Sequence, residues 1–293
     1  MKRIGLVLSG GMGKGAYQIG ALRAIEEIFQ PSQFEYVSAA SVGALNAYAF
    51  LTGNLDAAQS MWENANKEND RRFITSVLKS TFLQDCIRNI ATDVQIPTTY
   101  YVPLLDMENR SLDYYELSHI PYGHITDYLS ASVAMPLYNK GVEIDGKTLF
   151  DGAVVDNIPV YPVCKNDLDI IICIYFDDVH YIFEDYDIDH KILRLTFPDK
   201  TTISHSVYIT HEAILSMIDE GYKKTNEVLS YVFAASDELD DIYEKICHIN
   251  QANQQTKMRI TGDVVVTNMN TVFQKLLKSK NIIERGKCHE INS

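Results

Sequence analysis

Fourteen residues constrain this chain more than any others: Phe34-Glu35-Tyr36-Val37-Ser38-Ala39-Ala40-Ser41-Val42-Gly43-Ala44-Leu45-Asn46-Ala47 passes from a strand-like segment into a helix-like one with no spacer. A similar junction lies just upstream. Ile4 to Leu8 is a short apolar run with glycines after it. Apolar residues then recur at helical spacing through Gly15 to Phe29 (Ile19, Leu22, Ile25, Ile28), stopping before Pro31. Two strand–turn–helix units in a row leave few topologies. The strands are expected to lie parallel, with each helix crossing a face of the sheet, since right-handed crossovers are what twisted strands and right-handed helices permit. The second helix is expected over Val42 to Leu51, with Gly53 just past its end.

Further along, Leu55 to Lys67 and Phe73 to Val94 have helical spacing, and Pro97 to Leu105 reads as a strand. Ser118 to Ala134 holds one or two helices. Val142 to Ile144 and Thr148 to Phe150 suggest a hairpin turned at Asp145-Gly146. Asp169 to Phe176 and Ile192 to Phe197 are apolar enough for buried strands. Thr202 to Ile249 is helical in pattern, and a last helix is expected over Thr271 to Lys280. The sum is an α/β fold with a central, mostly parallel sheet and helices on both faces. Its catalytic-size unit is expected over residues 3–200, with a mainly helical C-terminal extension over 201–293 packed on it.

Composition removes several function classes. The formal net charge of −13 weighs against a nucleic-acid partner and against unaided adhesion to an anionic membrane, while a neutral lipid surface stays compatible. Tyrosine is plentiful but without interleaved basic residues, so it does not suggest stacking on bases. Five cysteines with no CxxC argue against a zinc ribbon or a disulfide scaffold. The first residues offer five apolar positions before the glycines, fewer than the ~7–15 of a signal peptide, and no run approaches the ~18 of a membrane span. The expectation is a cytoplasmic protein, at most peripheral to membrane, with no cofactor and no metal.

Chemistry concentrates in three places. The first is Ala39-Ala40-Ser41-Val42-Gly43, close to the G-x-S-x-G nucleophile elbow, in which small residues on either side let a strained turn present the serine. Ala39 replaces the first glycine; Gly43 is present. At a helix N-terminus, N–H groups and the dipole favour a developing oxyanion. The same serine would also suit a plain helix N-cap. The second is Ser9-Gly10-Gly11-Met12-Gly13-Lys14-Gly15, whose glycines expose N–H groups to an anion. A P-loop would need glycine in place of Leu8 and a hydroxyl residue in place of Gly15. A dinucleotide fingerprint, Gly11-x-Gly13-x-x-Ala16, matches better, but it wants an acidic residue at the end of strand two, where Ala39-Ala40 stand; Glu35 lies at the start. The third is Asp151-Gly152-Ala153, with Asp156-Asn157-x-Pro159 behind it. Gly152 and Ala153 leave room for a serine to approach the carboxylate, although Asp-Gly alone is also simply a turn.

In this order, the three motifs and their neighbours resemble the patatin-like phospholipase family. The neighbours are Gly15-Ala16-Tyr17-Gln18, Ala44-Leu45-Asn46-Ala47 and Ala131-Ser132-x-Ala134-x-Pro136. The resemblance covers roughly residues 3–178. It implies a Ser41–Asp151 dyad without a catalytic histidine, acting on a lipid or other acyl ester through an acyl-enzyme. It also implies an oxyanion hole from the N–H groups of Gly11, Met12 and Gly13, supported by Gly10, Lys14, Gly15, Gly43, Gly152, Ala153 and Asn157. Met12 departs from the family's third glycine; if that position needs positive φ, methionine is strained there.

Alternatives attach to several residues. A Ser…Asp…His order is available through His180, His190, His205 or His211, none with a motif around it. Lys14 either attracts a phosphate or pins its loop. Asn157 is placed to hydrogen-bond the aspartate loop. The acidic residues from Asp177 to Asp189 lack EF-hand spacing and read as a solvated loop. Phe73 to Leu83 reads as a packed helix or as an apolar, lipid-facing lid. A silent lipid- or partner-binding module on the same fold is the alternative to an enzyme.

Overall fold

A computed structural model describes residues 2–65, 82–136, 138–176, 186–197, 210–233, 238–257 and 285–289. Its centre is one mixed sheet. Strands β1 (Ile4–Leu8), β2 (Phe34–Ala39), β3 (Thr99–Asp106), β7 (Ile170–Phe176) and β8 (Ile192–Phe197) run parallel in the order β3-β2-β1-β7-β8. Every residue of β1 and β7 is buried. Their side chains alternate between two cores, as a two-residue period requires. Leu6, Leu8, Ile172 and Ile174 enter one; Val7, Ile171 and Cys173 enter the other.

Helices α1 (Gly15–Glu26), α2 (Val42–Leu51) and α3 (Leu55–Asn64) follow in sequence, and α4 (Phe82–Ile90) and α5 (Tyr122–Ser132) supply residues to the larger core. The short α6 (Tyr161–Cys164) packs against the opposite face, through Val163. The expected fold class is therefore observed, with α2, β2 and β8 at the bounds expected. α1 ends three residues early, in a turn where the Ile28 and Phe29 N–H groups both bond Ile25 O.

The antiparallel part of the sheet decides where the chemistry goes. β4 (Ser111–Glu116) pairs with one edge of β3 along its length. β2 and β6 (Lys147–Asp151) must then share the other edge. β2 runs parallel to β3 and ends opposite Tyr101, through Ser38; β6 runs antiparallel and ends opposite Leu104, through Asp151. The two strand tips face each other across three residues of β3, about 10 Å. The loops leaving them carry Ser41 and Asp151.

β5 (Val142–Ile144) completes the expected hairpin with β6; Asp145 and Gly146 both have positive φ (50° and 75°), as a two-residue primed turn requires. β4 was not foreseen. Its central four residues are buried, including Asp113 and Tyr114, so no polar face marks it as a strand. A ninth strand, β9 (Arg285–His289), pairs parallel with β4.

The long helical pattern near the C-terminus is two helices, α7 (His211–Phe233) and α8 (Leu239–Lys257). α7 crosses α1 at two glycines: a Cβ on Gly20 would lie 1.9 Å from Ile218 O, and one on Gly221 would lie 2.2 Å from Tyr17 O. The two backbones touch, which fixes the C-terminal helices against the first crossover helix. Among the described residues, no helix is long and apolar enough to cross a membrane. Expected features at 66–81, 177–185 and 271–280 lie outside the described residues; of the lid segment, Phe82 and Leu83 pack partly against the core.

Candidate active site

Ser41 sits between β2 and α2 with φ 54° and ψ −133°, a conformation that residues with side chains seldom adopt. The turn is held from three sides. Ala40 N–H bonds Leu8 O at the end of β1 (3.0 Å), Gly43 N–H bonds Ala40 O (2.9 Å) and Ala44 N–H bonds Ser41 O (2.9 Å). Gly43 has no room for a side chain, since a Cβ would fall 2.6 Å from Ser9 O. The Ser41 hydroxyl makes no capping bond to its own helix. It hydrogen-bonds the carboxylate of Asp151 instead.

Asp151 ends β6 and is buried. Its N–H bonds Ala134 O (2.9 Å), which gives the Ala131–Pro136 motif its place, and its Oδ1 accepts from Ala153 N–H (2.9 Å). Burial pushes its pKa up to about 7, against the opposing hydrogen bonds from Ser41 and Ala153. Gly152 is pressed onto β3, where a Cβ would lie 2.4 Å from Pro103 O. Behind this loop Asp156 is buried and accepts from the Tyr114 hydroxyl, while its N–H bonds Gly152 O (3.0 Å). The β4 residue Tyr114 thus braces the aspartate loop, a link no local pattern announced.

The glycine loop lies against both. A Cβ on Gly10 would fall 2.9 Å from Ser41 Cβ and 3.1 Å from Ala153 Cβ, so Gly10 fills the seam between serine and aspartate loops. Gly10 N–H bonds Asn157 O (3.1 Å), and Asn157 Nδ2 bonds Gly10 O (3.2 Å). Asn157 therefore ties the glycine loop to the aspartate loop, rather than closing a turn within its own. Gly11 is packed on Phe176, whose ring lies 2.1 Å from where a Cβ would stand. Met12 has φ 49°, the strained position expected of it, and its side chain packs half-buried on the core. Among the described residues, the N–H groups of Gly11, Met12 and Gly13 have no backbone acceptor in the loop, while Lys14 N–H returns to Gly11 O (3.0 Å). Lys14 is buried, with Nζ 6.0 Å from the centre of the Phe176 ring. That placement fits a loop-pinning side chain better than a phosphate contact.

Ser41, Asp151, Ala153, Asn157 and the loop from Gly10 onward thus converge. Among the described residues, no histidine is among the groups that shift the Asp151 carboxyl. His190 faces Tyr243 (4.9 Å between ring centres), and the hydrogen bonds that shift Asp151 come from Ser41 and Ala153. His180 and His205 lie outside the described residues. Glu35, the acidic residue of the dinucleotide alternative, pairs with Arg3 (3.0 Å) at the far end of β2.

Comparison with known proteins identifies the family. The model of the family described as patatin-like phospholipase matches residues 6–163. An uncharacterised NTE family protein of Mycobacterium bovis is 23% identical over 181 residues, covering 59% of this chain and 48% of that protein. A protein of the same description from Mycobacterium tuberculosis gives the same figures, so the chain spans about half the length of the curated relatives it matches. Among solved structures, VipD from Legionella pneumophila aligns at TM-score 0.49 and 13% identity, over 97% of this chain and 81% of that one. ExoU in its complex with SpcU from Pseudomonas aeruginosa aligns at TM-score 0.39 and 13% identity, over 88% and 60%. The chain belongs to the patatin-like phospholipase family.

Proposed function

We propose that this chain is a serine acyl hydrolase that cleaves carboxylic esters of phospholipids or related acyl esters through Ser41 and Asp151. The observation that carries the reading is the Ser41 hydroxyl, held on a strained turn and hydrogen-bonded to a buried carboxylate whose proton affinity lies near neutrality. In the first half-reaction the Ser41 proton passes to Asp151 as Oγ attacks the ester carbonyl. The carbonyl oxygen becomes an oxyanion, held by the N–H groups of Gly11, Met12 and Gly13 in the loop that leads into α1. The intermediate collapses to an acyl-serine, and the departing alcohol takes the proton back from Asp151. Water then attacks the acyl-enzyme with Asp151 again accepting its proton, and as the fatty acid leaves that proton returns from Asp151 to Ser41 Oγ. No cofactor is needed for these steps, and contact with a lipid surface would deliver the substrate.

The test is labelling with a fluorescent fluorophosphonate, which phosphonylates activated serines. Wild type is expected to label, Ser41→Ala to lose the label entirely, and Asp151→Asn to label at a rate lower by at least about 10². Absence of label in folded wild type would favour the silent binding module. Label surviving in Ser41→Ala would mean another nucleophile.

A further inference from the structure

A chain of buried hydrogen bonds joins the glycine loop to the elbow helix, and Asn46 is its centre. Asn46 lies on α2, five residues beyond Ser41, and is fully buried. Its Nδ2 donates both protons, to Gly15 O (3.0 Å) and to Gln18 Oε1 (2.9 Å). Its Oδ1 accepts from the Trp62 indole N–H (3.0 Å) on α3. Gln18 in turn donates to Ser9 O (2.7 Å). The direction of the chain is fixed at both ends, because an indole N–H only donates and a carbonyl only accepts. Flipping Gln18 would break two bonds and flipping Asn46 three.

The two backbone acceptors, Ser9 O and Gly15 O, stand at the two ends of the loop that holds Gly11, Met12 and Gly13. Trp62 also closes on the second end by packing, since a Cβ on Gly15 would meet its ring at 2.6 Å. Filling such a space with leucine or methionine would avoid desolvating two amides. What the polar chain adds is geometry. It sets the distance from the loop to the helix whose first turn carries the serine.

We propose that Asn46 is a positioning residue, which clamps both ends of the glycine loop to α2 and so keeps the loop N–H groups in register with Ser41. It touches no substrate. The proposal rests on the hydrolase reading above, and it concerns kcat alone: a loop displaced by about an ångström stabilises the oxyanion poorly while leaving acyl and headgroup contacts unchanged. Misplacement on this scale costs on the order of 10²-fold in rate.

The experiment uses full-length protein, with 4-nitrophenyl butyrate as substrate and fluorophosphonate stoichiometry to count competent sites. Asn46→Asp keeps the shape and the bond from Trp62 but loses both donated bonds. It is expected to lower kcat per titrated site about 10²-fold with KM within about threefold. Val232→Ala, a cavity in α7 outside this chain of hydrogen bonds, serves as the stability control and is expected to lower the melting temperature with turnover per site unchanged. Trp62→Phe keeps an aromatic ring and removes one donor, for an expected loss of about fivefold. Turnover per site in Asn46→Asp within about threefold of wild type would overturn the proposal. If that variant yields no folded protein, Trp62→Phe decides, and turnover matching wild type overturns it. Wild type that neither hydrolyses the ester nor takes the label would instead overturn the hydrolase reading and the clamp with it. With wild type labelled at Ser41, unimpaired turnover in Asn46→Asp counts against the clamp alone.

Discussion

Replacing Asp151 by asparagine removes a charge and almost nothing else. The amide has the same shape, its oxygen still accepts from Ala153 N–H, and Ser41 keeps a partner. What changes is the free energy of burying an ionised group. In the unfolded chain this carboxyl ionises near the ordinary value of about 4. In the fold, burial raises that to about 7. Between those values the folded protein holds a proton that the unfolded chain has released. The stability contributed by the neutral carboxyl is therefore whole below about pH 4, is lost progressively as pH rises, and is gone above about pH 7. Three pKa units correspond to about 4 kcal/mol. The substituted amide would stay neutral throughout, so Asp151→Asn should be inactive yet more stable than wild type by up to about 4 kcal/mol at pH 8, with the gain falling to about 1 kcal/mol near pH 4.5. Urea unfolding of both proteins at several pH values measures this. Equal stability at pH 8, or a gain that does not change with pH, would refute the claim that ionised Asp151 is held at a cost.

Three further outcomes follow from the same geometry. Because Asp151 must be ionised to accept the Ser41 proton, kcat/KM should fall tenfold per pH unit on the acid side of a midpoint near 7, measured on a neutral ester. A midpoint near 4 would mean a solvated carboxylate. Gly10→Ala drives a Cβ to 2.5 Å from Asn157 Oδ1 and 2.9 Å from Ser41 Cβ, so it should cost about 10²-fold in kcat/KM while the protein still folds; steady-state kinetics and circular dichroism check this. Gly221→Ala places a Cβ 2.2 Å from the backbone of α1, so it should destabilise by about 3 kcal/mol in denaturant without altering the pH midpoint of activity.

How much of this could be read from the chain depends on the range over which each feature is decided. The elbow was legible because its causes are local. The strand runs straight into the helix and the small residues that make the turn are neighbours of Ser41 in sequence, although the Leu8 and Ser9 carbonyls they lie against come from the end of β1. The hairpin at Asp145-Gly146 is legible for the same reason. The meeting of Ser41 with Asp151 is not local. It follows from β2 and β6 ending tip to tip on one edge of β3, and that register depends in turn on β4 holding the opposite edge. β4 was hidden because it buries Asp113 and Tyr114, which make it look like neither an amphipathic strand nor an apolar one. Family motifs supplied the pairing that periodicity could not.

Asn46 shows the same limit at the scale of one side chain. On α2 it is a carboxamide among alanine, leucine, glycine and aromatic residues, and nothing in the helix explains it. Its partners come from α1 and α3, whose placement is a property of the whole sheet. Met12 makes the converse point. The chain signals a strained position, and the φ of 49° is there, but the methionine side chain rests on the core, where its burial offsets a conformational cost of about 1 kcal/mol. Local rules identify where strain or an odd polar residue sits. Whether it is tolerated, and to what end, is decided by contacts from elsewhere in the fold. Asp151 is the strongest case: the sheet register that brings the carboxylate to Ser41 also removes it from water. Its cost to stability and its basicity toward the serine proton therefore have one cause, and a change that relieves one must diminish the other.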